Sequence, residues 1–534
     1  MACLLTGTAQ ALDTLRLEFQ WSAGTGAKRV TRLDALLSGL ALRSAEGRWI
    51  ESRDWFAHLS LTGGKNTAEG TGTPPGRFTG LRFRIGVDEA INKMAPNIFP
   101  PEHPLNPQVN GLHWGLMGGF IFMALEGRDG GDGFSYHLAN APQLTTVELP
   151  VEFEGGRPLT ISIALDVAEV LEGLTETSTH SREGDKTAAR MKANLEKAFR
   201  VTRVSYDLYQ KSITSAGSAA PPITQRFPQV NLPVMTEAGV ELGRRLFHDT
   251  RLSVNGTQSC ASCHDQKLAF ADARRFSLGA QQQVGKRNAM PLFNLAWGTS
   301  FFWDGRAATL REQVLMPIQD HAEMNETLPN VIAKLGNERA AFQKAFGTPE
   351  ITADRVAAAL EQFLLTLISQ DSKYDRAARK VAELTESEKR GLQLFVTEFD
   401  PKRNLRGADC FHCHGGTLFV SSPFANNGLE LAPDDIGRMA VTKNAADRGK
   451  FKVPSLRNVA LTAPYMHDGR FSTLEEVVEH YSSGVRRGDT LDPNLAKHPE
   501  TGIQLSATEK ADLVAFLKTL TDETFTQTST TAAR

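Results

Sequence analysis

Two copies of one short pattern carry most of the chemistry that this sequence can do. They read Cys260-Ala-Ser-Cys263-His264 and Cys410-Phe-His-Cys413-His414. In Cys-x-x-Cys-His the two thiols bind the vinyl groups of haem as thioethers, and the histidine supplies an imidazole to the iron. A zinc knuckle and a redox dithiol are the alternatives, but neither needs the trailing histidine in both copies. The motifs therefore predict two covalently bound c-type haems.

The composition excludes several classes of partner. The chain has 534 residues, of which 41% are apolar and 22% charged, and its formal net charge is -2. Such a balance gives no electrostatic basis for binding nucleic acid or a membrane surface, and no apolar run is long enough to span a bilayer. Residues 1–11 resemble the remnant of a secretory signal that closes on Ala9-x-Ala11. Because bacteria attach haem covalently outside the cytoplasm, we expect a periplasmic protein.

The chain changes character along its length. Residues 12–168 alternate between apolar and polar side chains, as at Leu15, Leu17 and Phe19, and Gly/Pro-rich turns separate the runs. This part is predicted to be an all-β sandwich or barrel. Residues 169–230 are predicted to be a linker with a short helix around 188–206, and the signal beyond is helical up to a flexible tail at 526–534.

The helical part contains one internal repeat. The first haem motif follows Gly243-Arg-Arg-Leu-Phe247 and the second follows Gly391-Leu-Gln-Leu-Phe395; Trp303-Asp-Gly-Arg306 and His467-Asp-Gly-Arg470 come after them. A repeat of this kind indicates two domains of common ancestry. We therefore predict two mainly α, cytochrome c-like haem domains, at residues 231–383 and 384–525.

The repeat differs at one position that matters for iron. The helix after each Asp-Gly-Arg is expected over the haem face opposite the motif histidine, and there Tyr481 of the second domain matches Pro317 of the first. Proline offers iron no ligand, so the haem held by His264 is predicted to be open and able to bind peroxide. Periodicity alone also allows Tyr481 to be a core tyrosine.

Three side chains near the open site could take part in its chemistry. A carboxylate such as Glu323 could move a proton between the oxygens of bound peroxide, and Gln313 lies nearby in sequence. Trp303 could carry electrons between the haems. Ordinary alternatives for these residues are a solvated loop acid, a polar helix position and a packed core indole.

At these residues the chain resembles the bacterial di-haem cytochrome c peroxidase family, and within it the MauG branch with its MbnH-like members. The likeness covers about residues 225–525 and includes Phe301-Phe-Trp-Asp-Gly-Arg306 and Lys452-Val-Pro-Ser-Leu-Arg-Asn458. It implies that His264 carries the peroxide-reactive haem, that Gln313 and Glu323 line its distal pocket, and that Trp303 lies between the haems. The resemblance also implies a calcium ion, held by the Asn288 side chain and the carbonyl oxygens of Thr462 and Pro464, because calcium prefers hard oxygen ligands.

Two departures from the usual peroxidase pattern point towards the MauG branch. Peroxidases of this family usually hold the second haem with Met and close the first with a loop histidine, whereas this chain has Tyr481 and no such histidine. The resemblance therefore implies that Tyr481 ligates the second haem, and that the first needs no reductive activation. Phenolate ligation favours high-valent iron, so oxidising power can be directed to a protein side chain.

The β-part resembles the MbnP-like copper-binding proteins, in His103-Pro-Leu-Asn-Pro and Gly111-Leu-His113-Trp114-Gly. In that family a tryptophan is oxidised to kynurenine and then helps to bind copper. The resemblance implies Trp114 as the modified residue, with His58 and His103 as copper ligands, for which nitrogen donors are suited. Other residues stay open for these roles: His113 and His137 as ligands, and Trp21, Trp49 and Trp55 as targets.

These observations predict an enzyme that uses hydrogen peroxide to oxidise a tryptophan in its own β-domain. One alternative is a hydrogen peroxide scavenger that takes electrons from a small cytochrome or cupredoxin. A second is a non-enzymatic electron-transfer protein, in which both haems would be six-coordinate.

Overall fold

A computed structural model gives the fold of the protein. It describes residues 15–22, 28–52, 54–70, 73–100, 103–114, 119–156, 159–181, 184–206, 233, 235–420 and 423–526. The chain divides into two compact units, residues 1–216 and 217–534. The predicted signal remnant at 1–11 and most of the predicted tail lie outside the described residues. Within the described ranges, no helix is both long and apolar enough to cross a membrane.

The N-terminal unit is built from two sheets. Its strands are β1 Leu15–Ser22, β2 Lys28–Ser44, β3 Trp49–Glu51, β4 Phe56–Ser60, β5 Thr67–Gly70, β6 Gly76–Ile85, β7 Ile121–Asp129, β8 Asp132–Ala139, β9 Thr145–Gly155, β10 Leu159–Asp166, β11 Ser178–Thr179 and β12 Phe199–Ser205. One sheet has the order β12-β10-β1-β5. The other has the order β11-β8-β7-β2-β6-β9, and β3 and β4 also pair with β2.

The two sheets enclose one apolar core. Strand β9 illustrates how the core is formed. Its residues alternate between buried and exposed along most of its length, so every second side chain points into the core. Phe19 on β1 and Phe83 on β6 belong to different sheets, yet their ring centroids lie 5.8 Å apart in an edge-to-face contact. The predicted all-β sandwich is confirmed.

The sandwich extends further along the chain than the sequence predicted. Short helices α1 Glu89–Asn92, α2 Pro107–Asn110 and α3 Val167–Val170 precede α4 Lys186–Leu195, whose Met191 and Leu195 are buried in the sandwich core. Strand β12 then pairs with β10, with Phe199 opposite Leu165. The predicted boundary at residue 168 therefore lies too early, and the helix expected around 188–206 gives way to a strand at Phe199.

The C-terminal unit is mainly helical, as predicted. Its helices are α5 Glu237–Phe247, α6 Leu310–Gln313, α7 Met316–Gln319, α8 Leu328–Lys334, α9 Arg339–Phe346, α10 Ala353–Leu365, α11 Lys373–Ala378, α12 Glu386–Phe395, α13 Phe411–His414, α14 Met439–Thr442, α15 Leu474–Glu479, α16 Pro493–Ala496, α17 Ala507–Lys518 and α18 Glu523–Thr526. Strands β13 Phe424–Ala425 and β14 Phe451–Lys452 form one short antiparallel pair.

The internal repeat is visible in how the long helices cross. In the first half α5 crosses α10, and a Cβ atom on Gly243 would overlap the carbonyl oxygen of Ala359. In the second half α12 crosses α17, and a Cβ on Gly391 would overlap the carbonyl oxygen of Asp512. Both crossings therefore need glycine, because the backbones approach too closely for any side chain.

The two halves are joined by a shared connecting segment. Asn294 of the first half exchanges two hydrogen bonds with the backbone of Ser369, and Asn458 of the second half donates to the Ser369 hydroxyl. Asp375 forms a fully buried ion pair with Arg457, with an Nη1–Oδ2 distance of 2.7 Å. These contacts hold the two haem motifs in one unit.

Candidate haem sites and the histidine cluster of the β-domain

The first haem motif starts in the short 3-10 turn Cys260–Ser262. The Nδ1 atom of His264 lies 2.8 Å from the carbonyl oxygen of Phe270, and burial lowers the pKa of His264. The imidazole is thus neutral and donates through Nδ1, so Nε2 carries the lone pair that iron requires. Burial also raises the pKa of the Cys260 thiol to about 12. Zinc or redox sites need accessible thiolates, so this environment favours thioether attachment.

A cavity of about 1100 Å³ lies beside this motif. Cys260, Cys263 and His264 line it together with many apolar residues, among them Leu310, Val314, Leu360 and Leu364. Lys452 also lines the cavity, and burial lowers the pKa of its ammonium group to about 8. An apolar cavity of this size with a buried cation suits a haem, whose macrocycle is apolar and carries two carboxylates. The residues present therefore fit a haem at this motif.

Glu323 and Gln313 both line the cavity of the first motif. Burial, and to a smaller extent the charge of Asp320, raises the pKa of Glu323 to about 7, while Arg306 opposes the rise. A carboxyl group with a pKa near neutrality can both hold and release a proton at physiological pH. Gln313 is the last residue of α6, and Pro317 lies in α7 and also faces the cavity.

The histidine of the second motif, which ends α13, is oriented in the same way as that of the first. The Nδ1 atom of His414 lies 3.3 Å from the carbonyl oxygen of Phe419, and burial lowers the pKa of His414 to about 4. Phe270 and Phe419, which receive these contacts, both have a positive φ, 59° and 53°. The two histidines are therefore oriented by the same backbone turn.

Tyr481 lies where α15 widens into one π-helical turn, His480–Gly484. Such turns are frequent at functional sites because they redirect a side chain within a helix. The Tyr481 hydroxyl is 3.4 Å from Nδ2 of Asn427. Burial raises the pKa of this hydroxyl; Asn427 opposes the rise, and the nearby thiols of Cys413 and Cys410 add to it. Tyr481 is therefore half-buried and lies close to the second haem motif.

The equivalent segment of the first half ends differently. Helix α15 is continuous with the turn that carries Tyr481, whereas α6 stops at Gln313 and a separate helix, α7, begins at Met316 with Pro317 at its second position. Proline cannot donate a backbone hydrogen bond within a helix and fits its first turn. The first cavity is thus lined by Pro317 at the place where the second half presents a phenol.

Trp303 and Asn288 lie between the two halves. Trp303 lines the first cavity, its Nε1 donates to the carbonyl oxygen of Asn288 at 2.8 Å, and its own carbonyl accepts from the amide of Lys452. The Asn288 side chain donates to the carbonyl oxygens of Arg274 and Arg275. Thr462 and Pro464 follow the 3-10 turn Val459–Leu461. The calcium site stays a prediction.

In the N-terminal unit Trp114 packs against two histidines. Its ring centroid lies 5.4 Å from that of His137 and 5.3 Å from that of His180, and the two imidazoles are 5.1 Å apart. The parallel pairing of β8 with β11, which places Tyr136 opposite Thr179, explains how residues so distant in sequence come together. One ring nitrogen of His137 lies within 4.8 Å of one ring nitrogen of His180. We call Trp114, His137 and His180 the tryptophan–histidine cluster.

A buried carboxylate orients this cluster. Oε1 of Glu126 on β7 lies 2.8 Å from Nε2 of His137, and Arg32 binds both Glu126 and Asp34. Burial lowers the pKa of His137 to about 4, although Glu126 acts against this shift. The imidazole is therefore neutral with its proton on Nε2, which places the lone pair on Nδ1. A carboxylate behind a histidine is the usual support of a metal-ligating imidazole.

His58 and His103, which the resemblance implied as copper ligands, make other contacts, and their role as ligands stays a prediction. His58 on β4 is buried and contacts Lys65, with 3.4 Å between Nδ1 and Nζ. Burial lowers the pKa of His58 to about 4, while the nearby Asp34 opposes the shift. His103 stacks on Phe99 and also touches Phe56, and His113 packs edge-to-face on Phe120. His180 was not among the predicted ligands, because a lone histidine after a polar stretch carries no local signal.

Comparison with known proteins agrees with both parts of this architecture. Residues 237–383 match the di-haem cytochrome c peroxidase family, and residues 7–200 match the MbnP family. The methylamine utilization protein MauG of Methylorubrum extorquens is 38% identical over 296 residues, which cover 54% of this chain and 80% of that protein. The chain belongs to the di-haem cytochrome c peroxidase family.

Other relatives of this di-haem peroxidase include enzymes named for peroxide chemistry. Cytochrome c551 peroxidase of Nitrosomonas europaea is 37% identical over 53% of this chain and 80% of its own length. Among solved structures, a MauG-like protein associated with microbial copper homeostasis is 36% identical, with a TM-score of 0.53 over 58% of this chain and 98% of that one. The protein is thus a peroxidase-type oxidoreductase with two c-type haems and an MbnP-type N-terminal domain.

Proposed function

We propose that this di-haem peroxidase uses hydrogen peroxide to oxidise Trp114 to kynurenine, in its own N-terminal domain or in that of a second copy, and that the product completes a copper site. The observation that carries the proposal is the position of Trp114 between His137 and His180. The two imidazoles and the aniline nitrogen of kynurenine would give a nitrogen donor set suited to copper. Because bacteria attach haem covalently outside the cytoplasm, we infer a periplasmic location.

The first haem site is the proposed place of peroxide activation. When bound, the haem supplies the redox chemistry, and the chain supplies proton handling and access. With a pKa of about 7, Glu323 can accept a proton from the inner oxygen of peroxide and return it to the outer one, which leaves as water. Gln313 can donate an amide hydrogen bond in the same cavity. Pro317 has no side-chain ligand to offer, so a haem held by His264 would keep a coordination position free for peroxide.

Tyr481 is the proposed ligand of the second haem, opposite His414. In the protein alone, burial favours the protonated form of the phenol. A bound iron would reverse this preference, because coordination to a cation lowers the pKa of the coordinated group and releases its proton to solvent. The Asn427 amide, which already donates to the phenol oxygen, would then stabilise the phenolate.

The overall reaction balances without another oxidant. One tryptophan and two molecules of hydrogen peroxide give N-formylkynurenine and two waters, and hydrolysis then releases formate and leaves kynurenine. The Trp114 peptide of the holoprotein should therefore gain about four mass units after peroxide treatment. Mass spectrometry of the intact and digested protein measures this change.

The control variants separate the proposal from its rivals. Tyr481→Phe should abolish the mass gain at Trp114, whereas Trp49→Phe, in a half-exposed tryptophan of β3, should leave it unchanged. Rapid turnover with a reduced small cytochrome or cupredoxin, together with an unmodified Trp114, would instead identify a peroxide scavenger. Two low-spin ferric signals in electron spin resonance would identify a pure electron-transfer protein.

The copper site is tested by single histidine replacements. His137→Gln and His180→Gln should each weaken copper binding by the peroxide-treated protein, and Glu126→Gln should weaken it about 10- to 100-fold, as loss of an orienting carboxylate does. His58→Gln and His103→Gln test the ligands that the sequence resemblance implied. Undiminished copper binding by both His137→Gln and His180→Gln would contradict this ligand set.

A further inference from the structure

A second tryptophan lines the cavity of the first haem motif. Trp297 closes the 3-10 turn Leu295–Trp297 and is only 6% exposed, and it faces the same cavity as Trp303 and His264. The turn is fixed at its start, because Asn294 adopts a left-handed backbone conformation and is held by the two hydrogen bonds with Ser369. Trp297 is therefore a rigidly placed indole at the site.

Trp297 also contacts the second half of the unit. Its ring packs in a small apolar cluster with Leu418, with Ile368 and Val420 at the edge. Leu418 directly precedes Phe419, whose carbonyl oxygen faces Nδ1 of His414. One indole thus connects the cavity of the first motif with the backbone that orients the histidine of the second.

Trp303 is connected to the same histidine, His414, through a different backbone segment. Its carbonyl accepts from the amide of Lys452, and two residues further on, the backbone of Pro454 also interacts with the His414 imidazole. Two segments flank His414, and a different tryptophan contacts each of them. Both routes start in one cavity and end at one imidazole.

We propose that Trp297 is a second electron-transfer residue between the two haem sites, parallel to Trp303. Indole is among the most easily oxidised side chains, and phenylalanine at this position would fill the space without that capacity. Hydrogen peroxide accepts two electrons and two protons to give two waters at the first site. Each electron that leaves Trp297 towards the first haem is replaced by one from the second haem, so the indole ends unchanged. The proposal does not depend on oxidation of Trp114.

The test uses the holoprotein and the spectrum of the second haem rather than turnover. Trp297→Phe, Trp303→Phe and the double variant are mixed rapidly with peroxide, and the spectral change of the second haem is followed. Each single variant should slow this change, and the double variant should lose it, because parallel routes compensate for each other. Trp55→Phe is the matched control, since Trp55 is also 6% exposed but lies in the β-domain.

A conservative replacement separates electron transfer from packing. Trp297→Tyr keeps an oxidisable ring and should restore the rate lost in Trp297→Phe, whereas a purely structural role would leave the two variants alike. A stepwise reductive titration of both haems provides the control and should be unchanged in the double variant, because removing an electron-transfer route slows electron exchange without altering the reduction potentials. The proposal is overturned if Trp297→Phe behaves as the parent protein and the double variant is no slower than Trp303→Phe.

Discussion

Burial shifts the pKa of the Glu323 carboxyl group at the first haem site, and replacing Glu323 by glutamine removes this ionisation. The pKa of this carboxyl rises from its ordinary 4.5 to about 7, so the folded protein retains a proton that the unfolded chain has already lost. A change of this size corresponds to about 3 kcal/mol. Because the native state binds more protons, the free energy of unfolding falls as the pH rises from below 4.5 through 7.

The Glu323→Gln variant should not show this fall. The difference in unfolding free energy between variant and parent should therefore grow by about 3 kcal/mol between acid and alkaline pH, in favour of the variant. Urea denaturation of the holoprotein across this range, followed by haem absorption, measures the difference at each pH. A difference that does not vary with pH would refute the reasoning, because it would mean that Glu323 ionises normally in the folded state.

Glu326 is a matched control of opposite sign. Burial raises the pKa of this carboxyl, but the Lys334 ammonium group and the Thr327 amide outweigh burial, and the net effect lowers the pKa. Its ionised form therefore stabilises the fold, and this stabilisation is lost as the pH falls through the lowered pKa. Glu326→Gln should lose stability mainly at neutral and alkaline pH, where Glu323→Gln gains it.

Three further predictions concern the second half of the haem unit. Tyr481→Phe should convert the second haem from low spin to high spin in electron spin resonance; an unchanged low-spin signal would show that another group ligates the iron. Asp375→Asn should destabilise the protein by about 3–5 kcal/mol in urea denaturation, because it leaves the Arg457 guanidinium buried without its carboxylate. Gly391→Ala should destabilise it by about 1–3 kcal/mol, since the added methyl group meets the Asp512 carbonyl; a midpoint equal to that of the parent would contradict this close packing.

Much of the haem unit could be predicted because its signals are local in sequence. The motif spacing places Cys260, Cys263 and His264 within one turn, and the repeat allows Tyr481 to be compared directly with Pro317. Thr473 and Glu476, which form a reciprocal capping box at the start of α15, are only three residues apart. Such features involve residues a few positions apart, so they are visible in the order of residues alone.

The long-range pairings could not be predicted in this way. The end of the β-domain was placed too early, because β12 is joined to the sandwich only through its pairing with β10. The surroundings of Trp114 were predicted only in part for the same reason: His137 was left open as a ligand, but His180 was not named, because it follows β11, which meets β8 only in the folded sheet. Local patterns do not specify which strands pair.

The sequence by itself determined that this protein holds two haems, that its haem domains are repeats, and that they differ at Tyr481 and Pro317. These properties can be recognised because haem-attachment motifs and helix periodicity involve only short segments of the chain. Tertiary structure alone decided the surroundings of Trp114, the pKa of Glu323 and the position of Trp297 between the two motifs. These properties depend on burial and on contacts between distant residues, which arise only when the chain has folded.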